Sequence, residues 1–180
     1  RPLWESAYSM LWWRWRGRSQ YIGDWLFKTN ALKEQGGFFD TKFAWGADDV
    51  SAFLASIKGG VANTYIPVFQ YRVSNLTISK NTSNTLDKIK SHNKVFETYR
   101  KLLKDEPSND VDCNYWKLLT KFINKYSDQA IGNDIADDII SHPFRLIHWF
   151  RHIGKDNVSK RAILYSIYVF IKIKILIRNK

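Results

Sequence analysis

Residues 36–49 read GGFFDTKFAWGADD, and the predicted fold depends on this stretch. A glycine- and aromatic-rich loop leads to two adjacent carboxylates, Asp48 and Asp49, and a helix-like run from Val50 to Ile57 follows them. This order predicts an acidic pair at a helix N-terminus, beside a loop that is able to hold a flat, hydroxylated ligand. Aspartate also favours such positions because it caps helices and interacts with the helix dipole, so capping alone is one interpretation of the pair.

The composition permits one folded domain, or a domain with an appendage. The chain has 180 residues, of which 44% are hydrophobic and eight are Trp, and these can build a sizeable core. Cys113 is the only cysteine. An intrachain disulfide and a cysteine-based zinc site are therefore both excluded.

The net charge of +11 is concentrated near the end of the sequence. Residues 1–18 carry four Arg and Glu5, which leaves +3, and residues 19–142 carry fifteen basic and fifteen acidic residues. Residues 143–180 carry nine basic residues and Asp156, which leaves +8. A nucleic-acid-binding domain does not usually divide its charge in this way, so the sequence predicts no nucleic-acid partner.

The first part of the chain predicts mixed α/β structure. Trp4, Tyr8, Leu11 and Trp12 have helical spacing. The other predicted elements are a strand at Ser19–Phe27 with aromatic residues at alternate positions, a short helix from Thr29 or Asn30 to Gln35, one edge strand or two short strands within Val61–Val73, and a polar loop at Ser74–Asn84.

From about residue 85 the pattern is helical. Apolar residues at helical spacing predict one helix around Ile89–Leu103 and a second around Tyr115–Tyr126, separated by a break at Glu106–Asp110. Three further helical segments are predicted at Gly132–Ser141, Pro143–His152 and Asn157–Arg178. The sequence therefore predicts a boundary that separates an α/β part, residues 1–84, from a helical region with a basic amphipathic tail, residues 85–180.

The order of these motifs resembles the acceptor-side half of bacterial family 2 glycosyltransferases with a GT-A fold. In that family a GGF turn leads through a loop to a Glu-Asp or Asp-Asp pair at a helix start, and a Tyr-Arg strand and a Ser/Asn-rich loop follow. Here the matching residues are 36–38, Asp48-Asp49, Tyr71-Arg72 and the loop that contains Ser74, Asn75 and Ser79. The resemblance covers roughly residues 19–85. It implies that residues 1–84 are the C-terminal part of a GT-A catalytic domain, with a partial mixed sheet.

The resemblance implies an inverting enzyme that moves a sugar from a nucleotide-sugar donor to a hydroxyl of a glycan or lipid-linked acceptor, in cell-surface polysaccharide synthesis. Asp49 is then the general base, and Asp48 orients Asp49, contacts the acceptor or caps the helix. Trp45 stacks on a sugar face, or it closes the core as a loop tryptophan. Arg72 contacts the diphosphate or the active-site acid, or it is a solvated arginine on a strand edge.

The donor-binding half of the family pattern is missing from this sequence. Family members hold a divalent metal, Mg or Mn, on the donor diphosphate with an Asp-x-Asp motif, and none occurs in residues 1–35. Asp110-Val111-Asp112 has the letters but follows the catalytic region, and we interpret it as an exposed turn. Because the chain also begins at Arg1, we expect it to be a piece of a longer enzyme that binds donor and metal elsewhere.

The histidines and the tail allow other functions. His148 and His152 are spaced i, i+4 on one helix face and could bind a metal, with His142 or Asp138 as the third ligand. No Glu follows His148, whereas the zinc-protease motif requires one. The apolar run Ala162–Ile171 is shorter than the about 20 residues of a transmembrane helix.

With its cations, segment 157–180 predicts peripheral contact with an anionic membrane; burial against protein is the alternative. We therefore expect a cytoplasmic location, at the inner face of the plasma membrane. The competing function is a non-catalytic, basic and aromatic-rich module that binds membrane or an anionic polymer.

Overall fold

The computed structural model describes residues 1–66, 70 and 82–178, and the described part of the chain is mostly helical. In chain order its elements are β1 (Trp4–Glu5), α1 (Ala7–Trp15), α2 (Thr29–Glu34), α3 (Ala47–Ser56), β2 (Val61–Ala62), α4 (Thr85–Leu102), α5 (Asp110–Ser141), α6 (Arg145–Phe150) and α7 (Lys160–Arg178). Short 3-10 turns lie at Ile22–Asp24 and Lys42–Ala44. β1 and β2 pair antiparallel, with Trp4 opposite Ala62 and Glu5 opposite Val61.

The predicted α/β fold class is wrong. A partial GT-A-like mixed sheet requires several paired strands, whereas the described residues form one sheet of two strands, each only two residues long. The predicted strands within Val61–Val73 are described up to Ile66, where only Val61 and Ala62 pair. Most of the predicted polar loop Ser74–Asn84 lies outside the described residues.

The predicted strand at Ser19–Phe27 is a turn instead. Asp24 closes it, because its side chain accepts a hydrogen bond from the Tyr21 backbone N–H (3.0 Å) and its own N–H donates to the Tyr21 carbonyl (2.9 Å). Two of the alternating aromatic residues that suggested a strand, Trp25 and Phe27, pack on each other with ring centroids 6.0 Å apart, and Phe27 also lies 5.4 Å from the Phe38 ring. Ring packing therefore accounts for the alternation in this segment.

The helix predictions are confirmed in most places. Helices form over the predicted cores of α1, α2, α3 and α4, and the predicted break at Glu106–Asp110 precedes α5. Asn109 accepts a hydrogen bond from the Asp112 N–H (2.8 Å), as a helix N-cap residue does. The separate helix predicted at Gly132–Ser141 is wrong, because α5 continues through Gly132 as one helix of 32 residues.

The chain forms two compact units, one from Arg1–Val73 and Glu97–Ile123 and the other from Ser74–Phe96 and Asn124–Lys180. The core of the first unit combines aliphatic residues with an aromatic cluster, in which the buried Phe53 ring lies 5.5 Å from Tyr8 and 5.9 Å from Tyr99, between centroids. The core of the second unit is mainly aliphatic and consists of Ile89, Ile131, Ile135, Ile139, Trp149, Val158, Ala162 and Ile163. The predicted domain boundary near residue 85 stays a prediction.

A buried ion pair holds the start of the chain within the first unit. Glu5 is 3% exposed, and both of its carboxylate oxygens accept hydrogen bonds from Arg18 Nη1, at 2.6 and 2.7 Å. The Asn63 side-chain amide donates a further bond to the same carboxylate at 2.9 Å. Burying an unpaired carboxylate would be costly, so these donors are what allow Glu5 to lie in the core.

Gly132 lets α5 and α7 approach closely in the second unit. A Cβ atom at this position would lie 2.8 Å from the Ala162 carbonyl oxygen and 2.8 Å from Tyr165 Cδ1. The tyrosine ring can turn away, but the carbonyl belongs to the backbone of α7 and cannot. The helix can therefore keep this contact only while position 132 has no side chain.

Gly132→Ala is therefore expected to lower the free energy of unfolding. Overpacking costs about 1–3 kcal/mol, and the better helix propensity of alanine offsets at most about 1 kcal/mol of that cost. Urea unfolding followed by circular dichroism measures the change. Gly59→Ala is the control, because nothing lies within 4 Å of the added Cβ. A Gly132→Ala variant as stable as the control would contradict the close packing of α5 on α7.

Among the residues that the structure describes, none of the helices combines the length and the apolar character needed to cross a bilayer.

Candidate functional site

The acidic pair lies in the first turn of α3, as predicted. Gly46 precedes the helix in a left-handed conformation (φ 73°) that favours glycine. The preceding loop is fixed by the Thr41 hydroxyl, which donates to the Trp45 carbonyl at 2.9 Å. Asp48 and Asp49 follow Ala47 inside the helix, so neither occupies the N-cap position, which belongs to Gly46. Their negative charges still lie at the positive end of the helix dipole.

Arg14 of α1 binds Asp49 directly. Its Nε lies 2.8 Å from Asp49 Oδ1 and 3.0 Å from Oδ2, so both oxygens share one N–H donor. The Asp49 side chain is 18% exposed and that of Arg14 is 33% exposed. Burial by itself would lower the pKa of Arg14, but the charges of Asp49 and Asp48 outweigh it and raise that pKa. Arg14 therefore stays charged beside Asp49.

Asp48 lies next to Asp49, and its pKa is raised above that of an ordinary aspartate. Burial raises the pKa of Asp48, and the negative charge of Asp49 raises it further. The Asp49 backbone N–H donates to Asp48 Oδ1 at 3.0 Å, which works in the opposite direction. Two neighbouring carboxylates resist full ionisation. The two acids therefore differ: Asp49 is bound by Arg14, whereas Asp48 takes up a proton more readily than an ordinary aspartate.

The side of the site towards the core is aromatic. Tyr99 of α4 is buried, and burial together with the charge of Asp49 raises the pKa of its hydroxyl well above the ordinary value. Its ring makes edge contacts with Trp15, at 5.6 Å, and with Phe53, at 5.9 Å. Tyr99 therefore remains a neutral group close to the charged cluster of Arg14, Asp48 and Asp49.

Sequence patterns did not single out Arg14 or Tyr99 as site residues. Arg14 carried a usable signal, because it follows the buried Met10 and Leu11 of α1 by four and three residues and so continues their apolar stripe. A cation on such a stripe requires a buried partner. Tyr99 carried none, because it falls on the apolar face of α4 like any other core residue.

The remaining predicted site residues are less fully defined. Trp45 is half-buried in the loop before Asp48, a position compatible with either predicted role, sugar stacking or closure of the core. Arg72 lies outside the described residues, as do Tyr71, Ser74, Asn75 and Ser79. The structure thus brings Asp48 and Asp49 together with Arg14, near Tyr99, and places Trp45 in the adjoining loop.

The alternative metal ligands are used for other contacts. Asp138 is 1% exposed and accepts hydrogen bonds from Arg145 Nη1, at 2.7 Å, and Trp149 Nε1, at 2.8 Å. The rings of His148 and His152 contact each other, with centroids 4.2 Å apart and planes tilted by 45°. Asp110 and Asp112 lie in the first turn of α5, not in a turn between helices as predicted. Within the described ranges, no three His, Cys, Asp or Glu side chains are grouped so that they could bind a metal ion.

The chain matches no protein-family model, no curated protein and no solved structure.

The stability of the chain is expected to depend on pH through Asp48. Because the folded state raises the pKa of Asp48, it binds this proton more tightly than the unfolded chain, and its stability falls as the pH rises from the ordinary to the raised pKa. Asp48→Asn removes this loss and keeps an oxygen that can accept the Asp49 N–H. The variant is therefore expected to gain stability relative to the wild-type chain across that window.

Urea midpoints measured between about pH 4 and pH 7 test this expectation. Asp40→Asn is the matched control, because Asp40 is an exposed aspartate in the preceding loop. Parallel pH profiles for Asp48→Asn and the wild-type chain would contradict the raised pKa.

Proposed function

We propose that this chain carries the acceptor-side portion of an inverting glycosyltransferase, which moves a sugar from a nucleotide-sugar donor to a hydroxyl of a glycan or lipid-linked acceptor. The observation that carries the proposal is the acid pair Asp48-Asp49 at the start of α3, after the glycine-aromatic loop, with Asp49 ion-paired yet partly open to solvent. The proposal rests on this site and on the order of the motifs.

Asp49 is the proposed general base. The acceptor hydroxyl oxygen forms a bond to the anomeric carbon of the donor sugar while the bond from that carbon to the diphosphate oxygen breaks on the opposite face. The hydroxyl proton passes to Asp49, and the electron pair of the broken bond leaves with the nucleoside diphosphate. Attack opposite to the leaving group inverts the anomeric configuration. A positioned carboxylate typically accelerates such a step by about 10²–10⁴-fold.

The ion pair with Arg14 is compatible with this role. A carboxylate can accept about four hydrogen bonds, and Arg14 supplies one N–H that both oxygens of Asp49 share. As far as the described residues are concerned, other lone pairs of Asp49 remain for the acceptor hydroxyl. Arg14 is therefore a positioning residue, which holds the carboxylate in place, while Asp48 orients Asp49 or contacts the acceptor.

The aromatic loop supplies the proposed contact for the acceptor. Trp45 is half-buried three residues before Asp48, and the exposed part of an indole ring can pack on the apolar face of a sugar. We propose this role for Trp45, and a diphosphate or acid contact for Arg72, on the resemblance to family 2 glycosyltransferases.

The same resemblance implies a divalent metal, Mg or Mn, which would offset the negative charge of the leaving diphosphate. The described residues contain no side-chain cluster that fits such an ion. We derive no step from the metal or from donor binding. Nucleotide-sugar donors and a lipid-linked acceptor lead us to propose a site of action at the cytoplasmic face of the plasma membrane.

The test is an assay of transfer by the full gene product that carries residues 1–180. A panel of nucleotide sugars is supplied with glycan and lipid-linked acceptors, and release of nucleoside diphosphate is measured. Release that depends on both donor and acceptor, and on Asp49, supports the proposal. Release that does not depend on Asp49 refutes the role of this site.

A further inference from the structure

Helix α7 has two apolar faces, and its own unit covers only one of them. Ala162, Ile163 and Ser166 are buried against the core, and Ile167 and Phe170 pack on the same cluster. A second set points to solvent and consists of Leu164, Tyr168, Ile171 and Ile175, which are 66%, 58%, 50% and 53% exposed. We call these four residues the outer stripe.

The outer stripe is continuous along the helix. Its members are spaced i, i+4, i+7 and i+11, which places them on one line of an α-helix. At 1.5 Å per residue the stripe is about 16 Å long. Tyr168, Ile171 and Ile175, with Lys172 and Leu176, also line a shallow groove on this side of the helix. Isolated exposed apolar side chains are common, but a contiguous stripe of this kind marks an interaction surface.

Cations flank the outer stripe on both sides, and α7 contains no acidic residue. By helical position, Arg161 and Lys172 lie along one edge of the stripe, while Lys160 and Lys174 lie along the other. All four are exposed. Lysine and arginine in these positions can extend their charged ends sideways while their stems cover apolar surface. The surface thus combines an apolar centre with a basic border.

We infer that α7 docks on an anionic phospholipid surface, with the outer stripe inserted at the level of the acyl chains and the flanking cations against the headgroups. An apolar face with basic edges is the arrangement by which interfacial helices bind membranes without crossing them. The +8 balance of residues 143–180 adds attraction to the same surface. In this geometry α7 lies in the plane of the membrane.

The charge pattern favours lipid over a second copy of this chain. If two copies paired their outer stripes, the cations bordering both helices would be brought together, and like charges at close range are repulsive. α7 supplies no carboxylate to offset them. An anionic membrane provides the complementary charge along the whole helix.

The same unit exposes further apolar side chains beside cations. Phe144, Ile147 and Phe150 are exposed at or near α6, and Arg145 and Arg151 occur among them. This composition matches that of α7. The inference concerns α7, where the stripe is continuous, and it does not depend on the proposed enzymatic function.

Sedimentation with lipid vesicles tests the inference. The full chain is mixed with vesicles of phosphatidylcholine alone or with roughly one third phosphatidylglycerol, which supplies the anionic surface. We expect binding to the anionic vesicles, and weaker binding as salt rises from about 0.1 M to about 0.5 M because the headgroup charges are screened. The triple substitution Leu164→Gln, Ile171→Gln, Ile175→Gln is expected to lower the partition coefficient at least tenfold.

The matched control replaces three exposed apolar residues of the first unit, Leu26→Gln, Ile66→Gln and Val111→Gln, and is expected to bind like the wild-type chain. Circular dichroism checks the fold of each variant. If the triple variant of α7 does not fold, Lys172→Gln with Lys174→Gln gives a second test, with a several-fold loss expected on anionic vesicles only. Equal binding by the α7 variants and the control overturns the inference, as does equal binding to neutral vesicles.

Sedimentation equilibrium without lipid tests whether a second copy of the chain binds the outer stripe. A dimer that the α7 triple substitution dissociates would assign the outer stripe to a second copy and would also overturn the inference. None of these measurements involves sugar transfer, so their outcome is separate from that of the proposed function.

Discussion

Asp49→Asn is expected to lower the rate of sugar transfer about 10²- to 10⁴-fold in the full gene product, while the chain stays folded. Asparagine has the shape of aspartate but cannot take up the proton of the acceptor hydroxyl. The attack on the anomeric carbon then proceeds without a general base. Release of nucleoside diphosphate from the donor measures the rate. The loss is expected mainly in kcat, because the missing group acts while the acceptor oxygen attacks.

Asp49→Asn also weakens the ion pair with Arg14, and this effect must be separated from the chemistry. The Arg14 and Asp49 side chains are 33% and 18% exposed, so their charges are partly screened and we expect a loss of about 1–2 kcal/mol in stability. Arg14→Gln breaks the same pair but leaves the carboxylate. If Asp49 is the base, transfer falls far more in Asp49→Asn than in Arg14→Gln, at similar stability.

Asp40→Asn is the surface control for this experiment, since Asp40 is an exposed aspartate in the loop before the site. It is expected to transfer sugar at the wild-type rate. A wild-type rate in Asp49→Asn as well would show that the pair serves only to join α1 to α3, and the proposed role of Asp49 would then be wrong.

Glu5→Ala is expected to lower the free energy of unfolding by about 3–5 kcal/mol, which is a large part of the stability of a domain of this size. The substitution leaves the Arg18 guanidinium, whose side chain is 16% exposed, without its carboxylate partner. It also removes one of two acceptors of the side-chain amide of Asn63, which follows β2 and donates to the Pro2 carbonyl as well. The pairing of β1 with β2 is therefore expected to loosen in the variant.

Glu34→Ala provides a matched control for Glu5→Ala. Glu34 forms an ion pair of similar length with Lys58, 2.9 Å between Oε2 and Nζ, but the two side chains are 60% and 87% exposed. Exposed pairs contribute only about 0–1 kcal/mol, so the control should unfold close to the wild-type chain. Urea unfolding followed by circular dichroism measures both. Equal losses in the two variants would mean that Glu5 is not buried as described.

The acid pair at the start of a helix was predictable because its signals are local. Gly46 supplies the left-handed backbone before α3, the two aspartates suit the first turn, and the apolar run from Val50 continues the helix. The helix around Ile89–Leu103 was predictable for a similar reason, since its apolar face recurs with helical periodicity. These features are set by residues within a few positions of one another.

The errors arose where a local pattern has two physical explanations. Alternating aromatic residues at Tyr21, Trp25 and Phe27 are typical of a strand, yet here rings of this segment pack on one another and on Phe38. A glycine is often found at a helix end, yet Gly132 lies within α5. Glycine is needed there because the α7 backbone lies where its Cβ atom would be. In both cases a contact with a later part of the chain, Phe38 or α7, decides between the two explanations.

The sequence by itself determined where most helices lie, that two acids begin α3, and that positive charge is concentrated after residue 142. Only the tertiary structure decided that Arg14 holds Asp49 across 35 positions of sequence and that one apolar face of α7 is left uncovered by its unit. The physical reason is that helix periodicity and capping depend on neighbouring residues, whereas the partner of a charge and the cover of an apolar face depend on which distant segments pack together.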